Sequence, residues 1–379
     1  MNVLIIPDSF KGSLTAIQVA NIMKKVTKRV FPKSKCILMP FSDAGEGALS
    51  LLEENGNGKL VNCYTSDALE RKLKAPYFLF DKGKSAWIEL SQSAGITRLK
   101  KHELNPLITS TLGTGQMINH ALNLGCENIY LGIGGSATHD LGSGIITALG
   151  GRLLDKNGKQ LSPGGGALSE LNQIDISNLD PRINQTDLTV ACDVQNPLIG
   201  ANGAAYTYAK QKGASKKVIE KLENSSKVFS KVVYNQFNIE IENLKGGGAA
   251  GGVGSGLFGV FNAKIENGFQ LLAKKTDLSR QINSIDLVLT GEGHFDKQSS
   301  FGKLPFQVAK LAVKKNIPTL IIAGKASIKK IPRMPNVKIF ETKPKEMSLE
   351  NAMKFASINL DKKLNDILIQ LKNHGSITF

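Results

Sequence analysis

Four short segments of this chain combine glycine with carboxylate, hydroxyl or lysine, and each follows a run of apolar residues. They are Asp8-Ser9-Phe10-Lys11-Gly12-Ser13, Asp43-Ala44-Gly45-Glu46-Gly47, the stretch from Gly132 to Asp140, and Thr290-Gly291-Glu292-Gly293-His294-Phe295-Asp296 running on to Gly302-Lys303. Glycine lets backbone come close to a ligand, and N–H groups at a helix start favour anions. Carboxylates repel a bare anion, so beside such turns they point to a metal ion or to a proton that must be taken. Glycine, lysine and carboxylate together are what Mg-nucleotide phosphoryl transfer requires. One Gly-rich segment alone is better explained by a tight turn, and Asp8 or Asp43 alone is equally well explained by helix capping. Four of them at strand ends are not, because turns do not need repeated carboxylates.

The segment 246–256 is so dense in glycine that it predicts a loop rather than a helix or strand. It is open to three readings: a backbone nest for phosphates, a lid, or a hinge. No G-x-x-x-x-G-K-[ST] occurs, which excludes a P-loop, and protein-kinase signatures are missing. No histidine pair has metal-ligand spacing; His139 and His294 read as structural or solvated. A rival is the strand 128–133 followed by Gly132-x-Gly134-x-x-Ala137 and, after a short helix, Asp155, the outline of an NAD-binding turn over 132–155. Asp140 inside that turn would repel a pyrophosphate, and Gly142 and Gly144 weaken the helix.

The elements that must position these segments are legible from apolar spacing. Buried strands are predicted at 3–6, 36–40, 128–133, 188–192, 285–289, 319–323 and 337–340. Helical spacing marks 15–30, 215–236 and 305–315, and Ser348 is the expected N-cap of one last helix. Between 59 and 90 three strands follow each other with little helix, which favours antiparallel pairing. The chain of 379 residues therefore divides into a discontinuous α/β domain, 1–58 with 284–379, and a second α/β domain, 59–283, inserted into it. Hydrophobic residues at 41% and charged residues at 21% exclude wholesale disorder. The net charge of +16 favours anionic partners, but aromatics at 6% are not interleaved with the basic residues, which argues against nucleic acid. Cys36, Cys63, Cys126 and Cys192 lie far apart, so neither disulfides nor a zinc motif are expected. No apolar run is long enough for a membrane helix, and a cytoplasmic protein is expected.

Pro7-Asp8-Ser9-Phe10-Lys11-Gly12-Ser13-Leu14 resembles the opening of the bacterial glycerate kinases of the two-domain, non-P-loop type. The resemblance continues in family order through Gly132–Thr138, Ala191-Cys192-Asp193-Val194-Gln195-Asn196-Pro197-Leu198, Gln211-Lys212-Gly213-Ala214, Gly248–Gly252, Thr290–Gly293, Asp296-Lys297-Gln298-Ser299 and Gly302-Lys303-Leu304-Pro305. It implies a flavodoxin-like doubly wound parallel-sheet domain carrying the inserted mixed α/β domain. It also implies ATP- and Mg2+-dependent phosphorylation of D-glycerate, with 2-phosphoglycerate favoured over the 3-isomer. On that reading ATP lies on Gly134, Gly135, Ser136, Thr138, Gly248, Gly251, Gly252, Gly291 and Glu292. Asp193 and Asp296 hold Mg2+ or take the hydroxyl proton, and Lys11 and Lys303 neutralise the moving phosphoryl group. Asp8, Ser9, Asp43 and Glu46 orient glycerate, and Arg71 or another cation meets its carboxylate. The partners are then small molecules, with neither nucleic acid nor membrane, and a homodimer is left open. Departures from the family pattern fall at Ala44, Ala48 and His139, where a glycine, a threonine and an asparagine are usual. The alternatives are an NAD-dependent oxidoreductase, a kinase of another small hydroxy acid, or a basic binding module.

Overall fold

The computed structural model describes residues 1–10, 12–41, 47–55, 57–276, 278–296 and 303–373. Its strands are β1 (Asn2–Ile5), β2 (Lys35–Leu38), β3 (Gly58–Ser66), β4 (Lys72–Phe80), β5 (Ser85–Glu89), β6 (Asn128–Gly132), β7 (Arg152–Leu154), β8 (Gln173–Asp175), β9 (Asp187–Ala191), β10 (Lys264–Glu266), β11 (Leu287–Phe295), β12 (Thr319–Ala326) and β13 (Val337–Glu341). The chain divides into two compact units, Met1–Asp43 with Leu272–Phe379, and Ala44–Leu271. The sequence drew these limits at 58 and 284. The short helix Ala48–Asn55 joins the second unit because it packs on β3, β4 and β5.

The first unit is a five-stranded sheet in the order β13-β12-β11-β1-β2, parallel throughout. Its central strands are apolar on both faces, as a covered parallel sheet demands. Helix Ala16–Val30 covers one face with Val19, Met23, Val26 and Val30 and packs with Leu360, Leu364 and Leu368 of helix Ala356–Asn373. Thr15 begins it with a capping box, its hydroxyl accepting from Gln18 N while Gln18 Oε1 accepts from Thr15 N. Ser348 caps as expected, but the last helix breaks at Phe355 into Leu349–Lys354 and Ala356–Asn373.

One expectation fails here in an informative way. Thr290–Phe295 is not a loop: β11 continues to Phe295, in parallel register with β12 as far as Ala326. Gly291 is what permits this, since a Cβ there would stand 2.0 Å from the Ile322 carbonyl oxygen.

The second unit is a mixed six-stranded sheet, β10-β9-β6-β5-β4-β3. β3, β4 and β5 pair antiparallel, as the sequence indicated, and β5, β6, β9 and β10 run parallel. The glycine-dense segment also departs from expectation, because Val253–Phe261 is helix despite Gly254, Gly256 and Gly259. A Cβ on Gly256 would stand 1.7 Å from the Leu141 carbonyl oxygen, so close packing of this helix accounts for the composition. Cys63, Cys126 and Cys192 are buried, Cys36 is half-buried, and all four are free thiols.

Candidate active site

In the first unit the chemistry gathers at the carboxyl end of β11. Glu292, buried in the sheet, accepts an ion-paired hydrogen bond from Lys303 Nζ at 3.0 Å. Lys303 stands just before helix Leu304–Val313 and is half-exposed; its Nζ also lies 4.0 Å from Asp296 Oδ1. His294 Nδ1 lies 4.0 Å from Asp296 Oδ2, and its Nε2 shares a 2.8 Å hydrogen bond with Ser327 Oγ. Two carboxylates, one lysine and one histidine thus share one strand end. His294 belongs to this group although the sequence gave it no part in chemistry, and Ser327 was not foreseen. Asp8 is buried on the neighbouring strand end: its N–H donates to the Gly291 carbonyl at 2.8 Å, and its Oδ1 accepts from Ser9 N at 2.6 Å. Lys11, Asp43 and Glu46 lie outside the described residues.

In the second unit β6 runs into a turn whose tip, Gly134 and Gly135, is half-buried, while Ser136, Thr138, His139 and Asp140 are buried beneath it. Gly135 has φ +66°, the left-handed region where glycine costs least. The turn is fastened to 94–96, with Ile96 N donating to the Gly135 carbonyl and Ala137 N to the Ala94 carbonyl, both at 2.8 Å. Below it sits Lys212, 1% exposed. Its ammonium donates to Ser136 Oγ at 2.8 Å and to the Thr138 carbonyl at 2.5 Å. Burial pushes Lys212 down to about 7, with nearby Asp140 acting in the opposite sense. Lys212 is the functional candidate that sequence reasoning passed over. It stood in a motif of the resemblance, but among so many lysines nothing marks one as buried.

Asp140 and His139 have structural surroundings. The Asp140 carboxylate accepts from Thr111 N and Thr111 Oγ1 at 2.8 Å and from Gly142 N and Gly144 N at 3.3 Å. It therefore ties together the starts of helices Leu112–Asn123 and Ser143–Ala148. Burial raises its carboxyl above the usual range, against the lowering effect of those four donors. His139 is fully buried, with Nε2 3.2 Å from Ser226 Oγ, and burial followed by the Lys212 charge pushes it down to about 3. It is a neutral core group rather than a ligand contact. Asp155 accepts from Asn157 N and Lys159 N in an exposed turn beyond β7, which supplies an ordinary reason for that carboxylate.

Gly248, Gly251 and Gly252 are buried against protein. A Cβ on Gly248 would meet the Pro197 carbonyl oxygen at 2.1 Å, and one on Gly251 would meet the Thr138 carbonyl oxygen at 2.4 Å. Asp193, half-buried at the end of β9, accepts at Oδ1 from Asn267 Nδ2 at 2.6 Å and from Phe269 N at 3.3 Å, at the start of helix Gly268–Lys275. Arg71 is bonded to Asp67 and Glu103, both at 2.6 Å, beside the β3–β4 hairpin.

Among the described residues no three His, Cys, Asp or Glu side chains form a metal cage. Mg2+ does not need one, since it is commonly bound by one or two carboxylates plus substrate phosphates and water. The carboxylate oxygens of Asp296 and Glu292 suit such a hard cation.

Comparison with known proteins gives one consistent answer. A profile of the glycerate kinase family matches residues 3–372. A protein named glycerate kinase from Halalkalibacterium halodurans is 39% identical over 372 residues, 97% of this chain and 98% of that one. A glycerate 2-kinase from Escherichia coli is 39% identical over 324 residues, 86% of this chain and 85% of that one. A Salmonella typhimurium crystal structure provisionally assigned as glycerate kinase 2 superposes with a TM-score of 0.81 at 35% identity, covering 99% of each chain.

Proposed function

Because the chain belongs to the glycerate kinase family, we propose that it transfers the terminal phosphoryl group of ATP to a hydroxyl of D-glycerate, with Mg2+, giving a phosphoglycerate and ADP. It is a phosphotransferase with an alcohol acceptor. The 2-hydroxyl is the favoured acceptor, in line with the glycerate 2-kinase among its relatives. The flavodoxin-like reading of the first unit is supported by its strand order, which counted along that unit is 2-1-3-4-5.

The observation that carries the assignment of roles is the Glu292–Lys303–Asp296 cluster. Phosphoryl transfer asks a protein mainly to place groups and to neutralise charge. Lys303 hydrogen-bonds Glu292 at 3.0 Å with Asp296 4.0 Å away, whereas Arg71 is held by two carboxylates at 2.6 Å, so Lys303 is the looser cation and the better placed to meet a phosphoryl oxygen. Asp296 takes the proton of the attacking hydroxyl or holds Mg2+, and Asp193 is the other carboxylate proposed for either task. When bound, Mg2+ neutralises phosphate charge. Asp8 and Ser9 are assigned to glycerate, and the roles of Asp43, Glu46, Arg71 and Lys11 follow from the family resemblance. The half-exposed tip Gly134–Gly135 with Ser136 and Thr138 receives the ATP phosphates; Gly251 packs behind it on the Thr138 carbonyl, while Gly248 and Gly252, also proposed for ATP, pack on Pro197 and on Leu141 and Leu198. Gly291 acts through the sheet, by bringing Glu292 to its strand end. Both substrates are small water-soluble anions, which supports action in the cytoplasm.

ADP release should require ATP, Mg2+ and D-glycerate together. Asp296→Asn and Lys303→Met should each lower kcat by about 100-fold with the fold retained. Near-wild-type kcat in both variants would remove the cluster from the reaction.

A further inference from the structure

The described residues leave two hydroxyl protons beneath the 134–138 turn without an acceptor. An ammonium can only donate, so Ser136 Oγ accepts from Lys212 and must offer its own proton elsewhere. No acceptor for that proton is found among the described residues. Thr138 is fully buried and its Oγ1 has no hydrogen-bond partner there, although its carbonyl is held by the same ammonium. A buried polar atom without a partner costs free energy unless a bound molecule or water completes it. The two hydroxyls lie two residues apart in one non-helical segment, adjoining the half-exposed Gly134–Gly135 tip.

We propose that Lys212 is a positioning residue of the nucleotide site, which fixes Ser136 as a hydrogen-bond donor to an anionic phosphate oxygen on the turn. The inference rests on the reading of this turn as the ATP site. The chemistry is directional. With one of its two lone pairs engaged by Lys212, Ser136 is turned to offer its O–H to the ligand, and a phosphate oxygen is an acceptor only.

The test is a double-mutant cycle on nucleotide affinity, with ADP binding measured by calorimetry and KM for ATP and kcat measured in parallel. Lys212→Met and Ser136→Ala should each weaken ADP about tenfold and raise KM for ATP alike, with kcat changed by less than about threefold. In the Ser136→Ala background, Lys212→Met should add less than about twofold. Independent, multiplying losses would overturn the proposal, as would a fall in kcat at unchanged ADP affinity. If Lys212→Met does not fold, Ser136→Ala and Ser136→Thr carry the test. Weakening by the first and recovery by the second support it, and unchanged affinity in Ser136→Ala overturns it. Gly134→Val separates this from failure of the underlying reading. If it leaves ADP binding intact, the turn is not the nucleotide site; if it abolishes binding while Ser136→Ala does not, only the role of Lys212 falls.

Discussion

His139, which the sequence reads as structural or solvated, follows directly on the turn proposed for the nucleotide. It is sealed in the core against Ser226. Its pKa falls from the ordinary 6.5 to about 3, so the folded protein keeps it neutral where the unfolded chain takes up a proton. The stability this contributes is complete above pH 6.5 and is lost as pH falls toward 3. Asp140, whose carboxyl is raised, acts in the opposite sense over the acid range. Urea midpoints measured from pH 8 to pH 4 should therefore fall more steeply in the wild type than in His139→Asn. One proton is worth at most about 1.4 kcal/mol per pH unit. Equal slopes in the two proteins would show that His139 is not held neutral. Lys212 is the converse case. Nothing in a lysine's position along the chain reports that it will be buried, so this candidate waits for the structure.

At the scale of elements, the sequence was most legible where apolar periodicity and capping agreed. The helix at 15–30, the antiparallel run from 59 to 90 and the Ser348 cap are all in the structure. It was least legible where glycine was read as a turn signal and instead served packing. In β11 and in helix Val253–Phe261 glycine lies inside a regular element because a neighbouring backbone passes within contact distance of the absent Cβ. Such a requirement depends on tertiary approach and leaves no mark in local sequence. Gly291→Ala should accordingly press on the Ile322 carbonyl and destabilise the protein by about 2 kcal/mol, with a further loss of activity as Glu292 moves. Thermal unfolding checks this, and an unchanged midpoint would mean that β11 and β12 can separate at no cost. The Glu292–Lys303–Asp296 cluster was visible as residue types, but its pairing was not. The register that brings Lys303 to Glu292 follows from β11 running on to Phe295.

At the scale of the whole molecule, the family assignment rests on matches that span nearly the entire chain, and the composition is consistent with it. A net charge of +16 should draw in two anionic substrates. Raising ionic strength from about 0.05 to about 0.5 M should lower kcat/KM for ATP by about threefold or more while leaving kcat nearly unchanged, because screening acts on encounter more than on the bound complex. Salt-insensitive kcat/KM would confine the useful charge to the site itself. Among the described residues no helix is long and apolar enough to cross a membrane. The measurement that tests the central claim most directly is a phosphorus NMR spectrum of the product formed from ATP, Mg2+ and D-glycerate. The account predicts a new phosphomonoester resonance that accumulates with ADP and is split into a doublet by the single proton on C2. A triplet would move the phosphate to the 3-hydroxyl, and inorganic phosphate alone, with no new ester, would contradict glycerate phosphorylation by this protein.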